Sequence, residues 1–571
     1  MKHDDVKKRP GGDRAGAKGE IVGNTDIVLH RNTRVKPTAV DPATISVDDV
    51  AAMDAESRSI PLAAMTDDEF REAYQKETGN APGTVSTVQP RRSPPDINAI
   101  LQGHREAEEL ARRYDLPTRP TTDLGNSERL RDQFGDVLRF DHSAGKWRYW
   151  DGRRWAIDVT GVTHHLAKIV IRRIHNEARD AVTENERKDL GKWAVKSENA
   201  SSIKNMLVLA QADPVLATVA TDYDTDTDAL NVNNGIVDLR TGELHPHSPA
   251  AMHSKLAPVD FRPELLQRDA DQMPGYVAVG PTWAKFQTEI CTGRRDLMRW
   301  KQTFYGYAAT GHVDAQIIGN AVGKGSNGKS EELRHVGACL GDYFQSAPPS
   351  LIIDDGKSGG ASPEIARLVG VRLLEIQETR SGDKLHESRI KWLSGGDRLV
   401  GRHLYGAYIE FDPTFTALLV TNALPRVTNG GHAVWRRIRV LPYDFVVTDE
   451  HKDPELPEKL NNEKEAILAW IIEGAIRWYT SGFPYSETVD AASAAYKADQ
   501  DAIGPFLHER TTDGGIVTRS EIYHAYKAWA EQEGEHPMHP RKFHAAMRER
   551  GYEEGTYRSY TGISLREGSG A

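Results

Sequence analysis

The sequence has 571 residues, 38% hydrophobic and 27% charged, which is ordinary for a folded protein with more than one hydrophobic core. Its two cysteines, Cys291 and Cys339, are too few for a disulfide framework or a zinc site, and no apolar run is long enough to span a membrane. The net charge of −10 excludes DNA coating through overall charge but permits a local basic channel. With no apolar segment typical of a secretion signal near Met1, a cytoplasmic protein is expected.

The first third of the chain is predicted to hold a tail and one small domain. Residues 1–95 are rich in Gly, Pro, Thr, Asp and Lys and are expected to be a largely disordered leader. Residues 96–262 are expected to form an α+β domain. Its predicted elements are helices over Ile97–Tyr114, Asn126–Phe134 and Leu166–Ala181, hairpin strands within Val137–Asp141 and Trp147–Trp155, and two short strands between Ala229 and Leu244.

Residues 263–312 are predicted to form a helical collar. Large apolar residues recur there at helical spacing, which is typical of a packing face rather than a ligand site. They are Trp283, Phe286, Ile290, Cys291, Leu297, Trp300 and Phe304.

A glycine-rich motif follows the collar, at the start of a region 313–445 that we predict to be an ATPase core. It matches the G-x-x-x-x-G-K-[ST] phosphate loop, between a candidate strand, Ala315–Val322, and a candidate helix that begins at Glu331. Backbone amides of such a loop bind phosphates, Lys329 would reach the β- and γ-phosphates, and Ser330 would bind Mg²⁺. The predicted ATP-binding residues are Gly323, Lys324, Gly325, Ser326, Asn327, Gly328, Lys329 and Ser330.

Further candidates for a role in ATP hydrolysis follow the loop within a short span of the chain. Glu378 ends an apolar strand and could bind Mg²⁺ or polarise water, whereas Glu375 is a weaker candidate because it falls in mid-strand and could face solvent. Asn422 ends a second buried strand, where a side chain could sense the γ-phosphate. Arg436 or Arg437 could act as an arginine finger on a neighbouring subunit.

A basic hairpin is predicted between the acid and the asparagine. Lys391, Arg398 and Arg402 flank a Ser-Gly-Gly-Asp turn, and alternating residues continue to Phe411 with His403 near the tip. Such a hairpin could contact a DNA backbone in a central pore, although an ordinary basic hairpin would look the same in isolation.

The order and spacing of these motifs resemble superfamily 3 helicases, closest to the phage and plasmid primase-helicase branch that is related to poxvirus-type primase-helicases. The segments that carry the resemblance are Gly323 to Ser330, Arg372 to Thr379, Lys391 to Arg402, Leu418 to Pro425 and Arg436 to Pro442. A weaker likeness extends upstream, in Thr122 to Asn126, Trp150 to Trp155 and Asn233 to Leu239, and downstream, in Tyr496 to Phe506. Two departures are Glu331 directly after the loop and His432, which stands where the branch often has an acid.

The resemblance implies an α/β fold with an AAA+-like P-loop ATPase core. It implies a homo-hexameric ring that hydrolyses ATP with Mg²⁺ at subunit interfaces and moves 3′ to 5′ on single-stranded DNA. Forked DNA and primase, polymerase or initiator proteins are the expected partners, in a bacterial host cytoplasm if a phage or plasmid encodes the protein. The leader is too short for a primase catalytic domain, so no primase activity is expected.

Two regions complete the predicted organisation. Residues 446–504 are expected to form a helical lid through the apolar stripe Ile467, Leu468, Ile471, Ile472, Ala475 and Ile476. Residues 505–571 are expected to form a winged-helix-like domain, with a capping box from Thr518 to Glu521, a basic helix from Pro540 and a strand pair between Tyr552 and Leu565. This domain could bind DNA or protein.

Three functions remain open from the sequence. The first is a replicative DNA helicase or translocase. The second is an ATPase that remodels or packages DNA without unwinding it. The third is a winged-helix DNA-binding regulator that uses ATP only for assembly.

Overall fold

A computed structural model describes residues 119–266, 280–353, 363–377, 383–402, 408–427, 431–448, 452–501 and 503–566. The predicted leader and the predicted helix over 97–114 lie outside these residues. No described helix is long and apolar enough to cross a membrane.

The first part of the structure packs four helices against a small sheet. The elements are α1 (Asp123–Phe134), β1 (Leu138–Asp141), β2 (Lys146–Trp150), β3 (Trp155–Ile157), α2 (Val162–Asp180), α3 (Glu184–Ser197), α4 (Ala200–Ala210) and β4 (Ala217–Thr218). The strand order is β3-β2-β1-β4, and the core includes Leu130, Leu166, Ile171 and Met206. The two predicted hairpin strands are confirmed, whereas α3 and α4 were not predicted.

A second, three-stranded sheet and two helices lead to the central sheet. Their elements are β5 (Ala229–Val232), β6 (Gly235–Asp238), β7 (Glu243–His245), α5 (Pro281–Ile290) and α6 (Arg295–Thr310). The predicted turn at Gly242 is confirmed by its φ of 74°, but three strands form where two were expected, because the residues after that turn pair with β6 as β7. The predicted collar residues are buried, but the collar is two helices, since Thr292 and Gly293 adopt left-handed backbone between them.

A five-stranded parallel sheet forms the centre of the structure. Its strands and the helices between them are β8 (Ile318–Val322), α7 (Lys329–Leu340), β9 (Phe344–Ala347), α8 (Pro363–Ala366), β10 (Leu373–Gln377), α9 (Glu387–Ser394), β11 (Leu399–Arg402), β12 (Tyr408–Phe411), β13 (Thr416–Thr421), α10 (His432–Trp435) and β14 (Ile438–Pro442). The order is β14-β8-β13-β10-β9, while β11 and β12 form a separate antiparallel pair.

The two faces of this sheet bury different cores. Successive residues of a strand point to opposite faces, so Leu373 belongs to a core with α5, α6 and α7, whereas Leu374 belongs to a core with α9 and α10. Burial on both faces is characteristic of a parallel sheet and explains why its strands read as continuous apolar runs.

Three further helices follow: α11 (Leu456–Asn462), α12 (Lys464–Ser481) and α13 (Glu487–Asp499). Helices α11 and α12 cover the first core, whereas α13 contributes Val489 to the first core and Tyr496 to the second. Helices α6 and α12 approach very closely, because a Cβ atom on Gly306 would lie 2.0 Å from the amide nitrogen of Ala475. The predicted apolar stripe of α12 is confirmed as buried from Ile467 to Ala475.

The last part of the chain has its own core of Phe506, Ile522, Phe543 and Ile563. Its elements are α14 (Gly504–Arg510), β15 (Thr511–Thr518), α15 (Arg519–Gln532), α16 (Pro540–Glu549), β16 (Glu554–Gly555) and β17 (Ser559–Leu565). The capping box of Thr518 and Glu521 and the helix start at Pro540 are confirmed, whereas strand β15 was not predicted.

A candidate nucleotide site at the carboxyl edge of the sheet

The glycine-rich loop joins the carboxyl end of β8 to the amino terminus of α7. Gly325, Ser326 and Gly328 have φ values of 36°, 48° and 84°, a left-handed curl that turns backbone amides towards one side. Gly323 has no room for a side chain, because a Cβ atom there would lie 2.3 Å from both Asn327 Nδ2 and the Tyr443 carbonyl oxygen. Glycine therefore serves two separate purposes in the loop: it permits the left-handed backbone at Gly325 and Gly328, and it permits the close approach at Gly323.

Lys329 begins α7 and turns its amino group back into the curve of the loop. Its Nζ donates to the Gly323 carbonyl at 2.5 Å and lies 3.4 Å from Asn422 Oδ1. Only 5% of Lys329 is exposed, and burial lowers the pKa of its amino group. The structure therefore brings together two predicted residues, one from the loop and one that follows β13.

The rest of the loop is either anchored or open to solvent. Asn327 is buried and donates to the Tyr443 carbonyl at 3.3 Å, and the Ser326 carbonyl accepts from the Val447 amide at 2.7 Å. The exposed residues are Lys324, Gly325, Ser326 and Ser330. Because its inner residues are anchored and its rim (Lys324, Gly325, Ser326 and Ser330) is exposed at a helix N-terminus, the loop has the shape of a binding site for a polyphosphate.

The loop offers an oxygen donor for Mg²⁺, the Ser330 hydroxyl, which is the residue that the sequence predicts to bind the ion. Among the described residues no group of three or more His, Cys, Asp or Glu could hold a metal ion. Mg²⁺ commonly keeps waters and binds through one or two protein oxygens together with substrate phosphates, so the exposed Ser330 hydroxyl suits it.

Of the two acidic candidates, only Glu375 lies on β10, the strand next to β13. Glu378 directly follows β10 and lies outside the described residues, so its predicted role rests on its place in the chain. Glu375 was expected to be able to face solvent, and that is wrong: it is 3% exposed. Its carboxylate accepts from Ser346 Oγ and from Gln377 Nε2, each at 2.6 Å, because it lies between two paired strands on a covered face.

Arg436 and Arg437 lie at the opposite, amino-terminal edge of the sheet, just before β14. Arg437 is 7% exposed and donates to Ser394 Oγ at 3.1 Å and to the Ala433 carbonyl. Burial lowers the pKa of its guanidinium. Arg436 is exposed, and both arginines donate to the Gln316 side chain. Of the two, Arg436 has the guanidinium that can meet another molecule.

The predicted basic hairpin is confirmed as the β11–β12 pair. Arg402 is stacked over the Tyr408 ring, with 5.1 Å from the guanidinium carbon to the ring centroid, and Tyr408 is 64% exposed. Arg398 is bonded to Asp412 at 3.1 Å, and Lys391 is exposed on α9 rather than on the hairpin itself. His403 lies outside the described residues.

Glu331 has a structural explanation. Its carboxylate bonds His335 at 2.9 Å and Arg334 at 3.1 Å along α7, and the hydrogen bond with His335 lowers the pKa of Glu331. An acid in the first turn of a helix is also stabilised by the helix dipole. Two residues that adjoin the loop, Glu332 and Tyr443, were not predicted from the sequence. The signal that could have identified Glu332 is an acid on the apolar face of a helix.

Two family models match this chain, and neither covers the phosphate loop. Residues 127–292 match the family described as D5 N terminal like, and residues 498–558 match the family described as poxvirus D5 protein-like. The resemblance to poxvirus-type primase-helicases is therefore confirmed on both sides of the central sheet.

Relatives among known proteins come from large DNA viruses. The chain is 26% identical over 229 residues to a presumed helicase of Acanthamoeba polyphaga mimivirus, a match that covers 36% of this chain and 24% of the relative. It is 23% identical over 345 residues to a presumed primase of African swine fever virus, covering 54% of this chain and 33% of the relative. The chain thus matches about a quarter to a third of the length of these relatives.

One solved structure that is similar is the apo NrS-1 C-terminal region. It is 10% identical, covers 75% of this chain and 96% of that chain, and has a TM-score of 0.39.

Proposed function

Because the chain is a relative of the poxvirus-type primase-helicases, we propose that it is an ATP-dependent DNA helicase or translocase of the replicative type. In this proposal residues 313–445 are an AAA+-like ATPase core, preceded by an α+β domain (96–262) and a collar (263–312). A lid (446–504) and a winged-helix-like domain (505–571) follow the core, and the leader is 1–95.

The observation that carries the proposal is the meeting of three strand ends at one edge of the sheet. Gly323 follows β8, Asn422 follows β13 and Glu378 follows β10, and these strands are neighbours in parallel register. Ligands of open parallel sheets bind outside the carboxyl ends of the strands. The Lys329–Asn422 contact joins side chains from two of these ends.

Each residue then has a role that its position permits. Loop amides and Lys329 would hold the β- and γ-phosphates of ATP, and Ser330 and Glu378 would hold Mg²⁺, which neutralises phosphate charge when bound. Asn422, adjacent to Lys329, would orient the attacking water or the γ-phosphate. Glu378 would accept a proton from that water or polarise it.

The arginine pair supports a site that is shared between subunits. Strands β8 and β14 separate the loop from the arginines, and a five-residue strand spans about 16 Å. Arg436 therefore cannot reach the loop of its own chain but is exposed to meet that of a neighbour. A homo-hexameric ring, with Arg437 holding the segment in place, satisfies this geometry.

DNA would be contacted by the hairpin. Lys391, Arg398 and Arg402 supply positive charge on and beside β11–β12, His403 follows Arg402 in the chain, and Tyr408 offers an exposed ring for stacking on a base. The two viral relatives are named for helicase and primase functions, which are functions on nucleic acid.

The test is steady-state ATP hydrolysis by the full chain alone, with single-stranded DNA and with duplex DNA. The proposal predicts hydrolysis that single-stranded DNA stimulates. A remodelling or packaging ATPase would be stimulated by duplex DNA as strongly as by single strands. A regulator that uses ATP only for assembly would bind ATP and assemble without turnover, and that result would refute the proposal.

A further inference from the structure

A buried polar network of Gln287, Lys301, Glu332 and Tyr443 lies behind the glycine-rich loop. Glu332, in the first turn of α7, is 0% exposed, and Lys301 of α6 is 1% exposed. Their charged groups are 2.9 Å apart, from Lys301 Nζ to Glu332 Oε1. Gln287 of α5 donates to the same carboxylate oxygen at 3.0 Å. A buried acid is thus fixed by two helices outside the central sheet.

The other oxygen of Glu332 connects this network to the loop. Glu332 Oε2 accepts the hydroxyl hydrogen of Tyr443, a residue that directly follows β14. Burial raises the pKa of Tyr443 well above its ordinary value, so the hydroxyl stays protonated and can donate. The ammonium of Lys301 also lies 4.4 Å from the centroid of the Tyr443 ring, which holds the ring from its face.

Tyr443 in turn supports the start and the middle of the loop through its backbone. Its carbonyl oxygen accepts from Asn327 Nδ2 at 3.3 Å and packs so closely on Gly323 that a Cβ atom there would lie 2.3 Å from it. Its amide donates to the Val322 carbonyl at 2.8 Å. A shift of Tyr443 would therefore move the base on which the loop rests, and with it the Gly323 carbonyl that accepts from Lys329.

We propose that Glu332 and Tyr443 are positioning residues for the nucleotide: their hydrogen bond, anchored by Lys301 and Gln287 of the collar, fixes the phosphate loop in its binding shape. This inference rests on the proposed function, since it concerns the same ATP site. If the network only stabilised the fold, the ion pair of Lys301 and Glu332 would be sufficient. The additional bond to Tyr443, whose backbone carries the loop, is what links the network to binding.

The decisive variant is Tyr443→Phe, which removes one hydroxyl and keeps the ring against Lys301. ATP affinity of the full chain, measured by calorimetry with ATP and Mg²⁺, is expected to fall about tenfold, because a buried hydrogen bond to a charged group is removed. The turnover rate at saturating ATP is expected to change by less than about twofold, since the loop is restored once nucleotide fills it. The control is Tyr307→Phe, whose hydroxyl bonds Asp314 and the Ala315 amide at the other end of β8.

A double variant separates positioning from charge pairing. Glu332→Gln combined with Lys301→Met removes both buried charges, and with them the Lys301 anchor, but keeps an acceptor for the Tyr443 hydroxyl. ATP affinity is therefore expected to fall by less than in Tyr443→Phe, by no more than about threefold. Parent-like affinity in Tyr443→Phe, an equal loss in Tyr307→Phe, or a tenfold loss in the double variant would each overturn the inference while leaving the proposed function intact. Failure of the parent chain to bind ATP would refute the proposed function itself, and the inference with it.

Discussion

The amino group of Lys329 lies 3.4 Å from the side-chain oxygen of Asn422, although 93 residues separate them in the chain. The two groups meet because β8 and β13 are parallel neighbours whose carboxyl ends coincide. This arrangement places a loop lysine and a strand-end amide on one side of the sheet, where a nucleotide phosphate would bind.

The first prediction concerns Lys329 itself. Lys329→Ala is expected to lower ATP hydrolysis by at least about 100-fold, because the variant lacks the ammonium that neutralises developing phosphate charge. Turnover in a coupled phosphate-release assay checks this. The matched control is Lys285→Ala, an exposed lysine on α5 paired with Glu289 at the surface, which should keep parent-like turnover. DNA-stimulated turnover close to that of the parent in Lys329→Ala would refute the site assignment.

The second prediction distinguishes the two arginines. Arg436→Ala is expected to lower turnover by at least about 100-fold while nucleotide binding is retained, because its exposed guanidinium would act on a neighbouring subunit. Arg437→Ala is expected to lower turnover and also the melting temperature, because its buried guanidinium holds Ser394, Ala433 and Gln316. Nucleotide titrations, turnover assays and thermal melts of both variants measure the difference.

Mixing experiments test whether the site is shared between subunits. Rings assembled from Arg436→Ala and Lys329→Ala chains would contain some interfaces with both residues intact, so part of the activity should return. If mixed samples remain as inactive as either variant alone, the arginine acts within its own chain or not at all.

The third prediction concerns the β11–β12 hairpin. Arg402→Ala is expected to weaken binding of single-stranded DNA and to reduce the slope of log affinity against log salt by about 0.7 for each phosphate that the variant no longer neutralises. Fluorescence anisotropy with a labelled oligonucleotide at several salt concentrations measures both quantities. Arg187→Ala, an exposed arginine of α3, serves as the control and should leave the slope unchanged. An unchanged slope in Arg402→Ala would remove the hairpin from the DNA-binding surface.

The fourth prediction is a pH dependence of stability at Asp228. Burial raises the pKa of this carboxyl, but hydrogen bonds from Tyr479, His312 and Arg240 outweigh it and lower the pKa from 3.8 to about 2. A lowered folded-state pKa contributes stability above the unfolded value, and this stability disappears as pH falls through the folded value.

Asp228→Asn is therefore expected to cost about 1 to 2 kcal/mol at neutral pH, and the difference from the parent should shrink between about pH 4 and pH 2. Urea unfolding at a series of pH values measures it. Asp412→Asn is the control, because its partner Arg398 is highly exposed and a surface pair contributes little. A difference that persists unchanged at pH 2 would show that ionisation of Asp228 is not the cause.

Features that depend on the local pattern of residues could be predicted from the sequence alone. The glycine-rich loop between a strand and a helix, the hairpin that ends at Phe411, the capping box of Thr518 and the apolar stripe of α12 are all set by residue type and spacing. The buried collar face was predictable for the same reason, although its division into α5 and α6 depended on two left-handed residues.

What the sequence did not reveal depends on contacts between distant residues. Glu375 looked like a mid-strand acid, and only the pairing of β10 with both β9 and β13 shows that it is buried. Glu332 and Tyr443 are 111 residues apart, and neither has a neighbouring motif that identifies the other. Helices α3 and α4 have exposed apolar residues, such as Val195 and Val208, which obscure the amphipathic pattern.

The decisive test of a helicase driven by this site is strand displacement by the full chain on 3′-tailed and forked duplexes, with ATP and with a non-hydrolysable ATP analogue. Displacement is expected with ATP and not with the analogue, and the Lys329→Ala variant is expected to show none with either nucleotide. Displacement that proceeds equally well with the analogue, or ATP hydrolysis without any displacement, would contradict a helicase driven by this site.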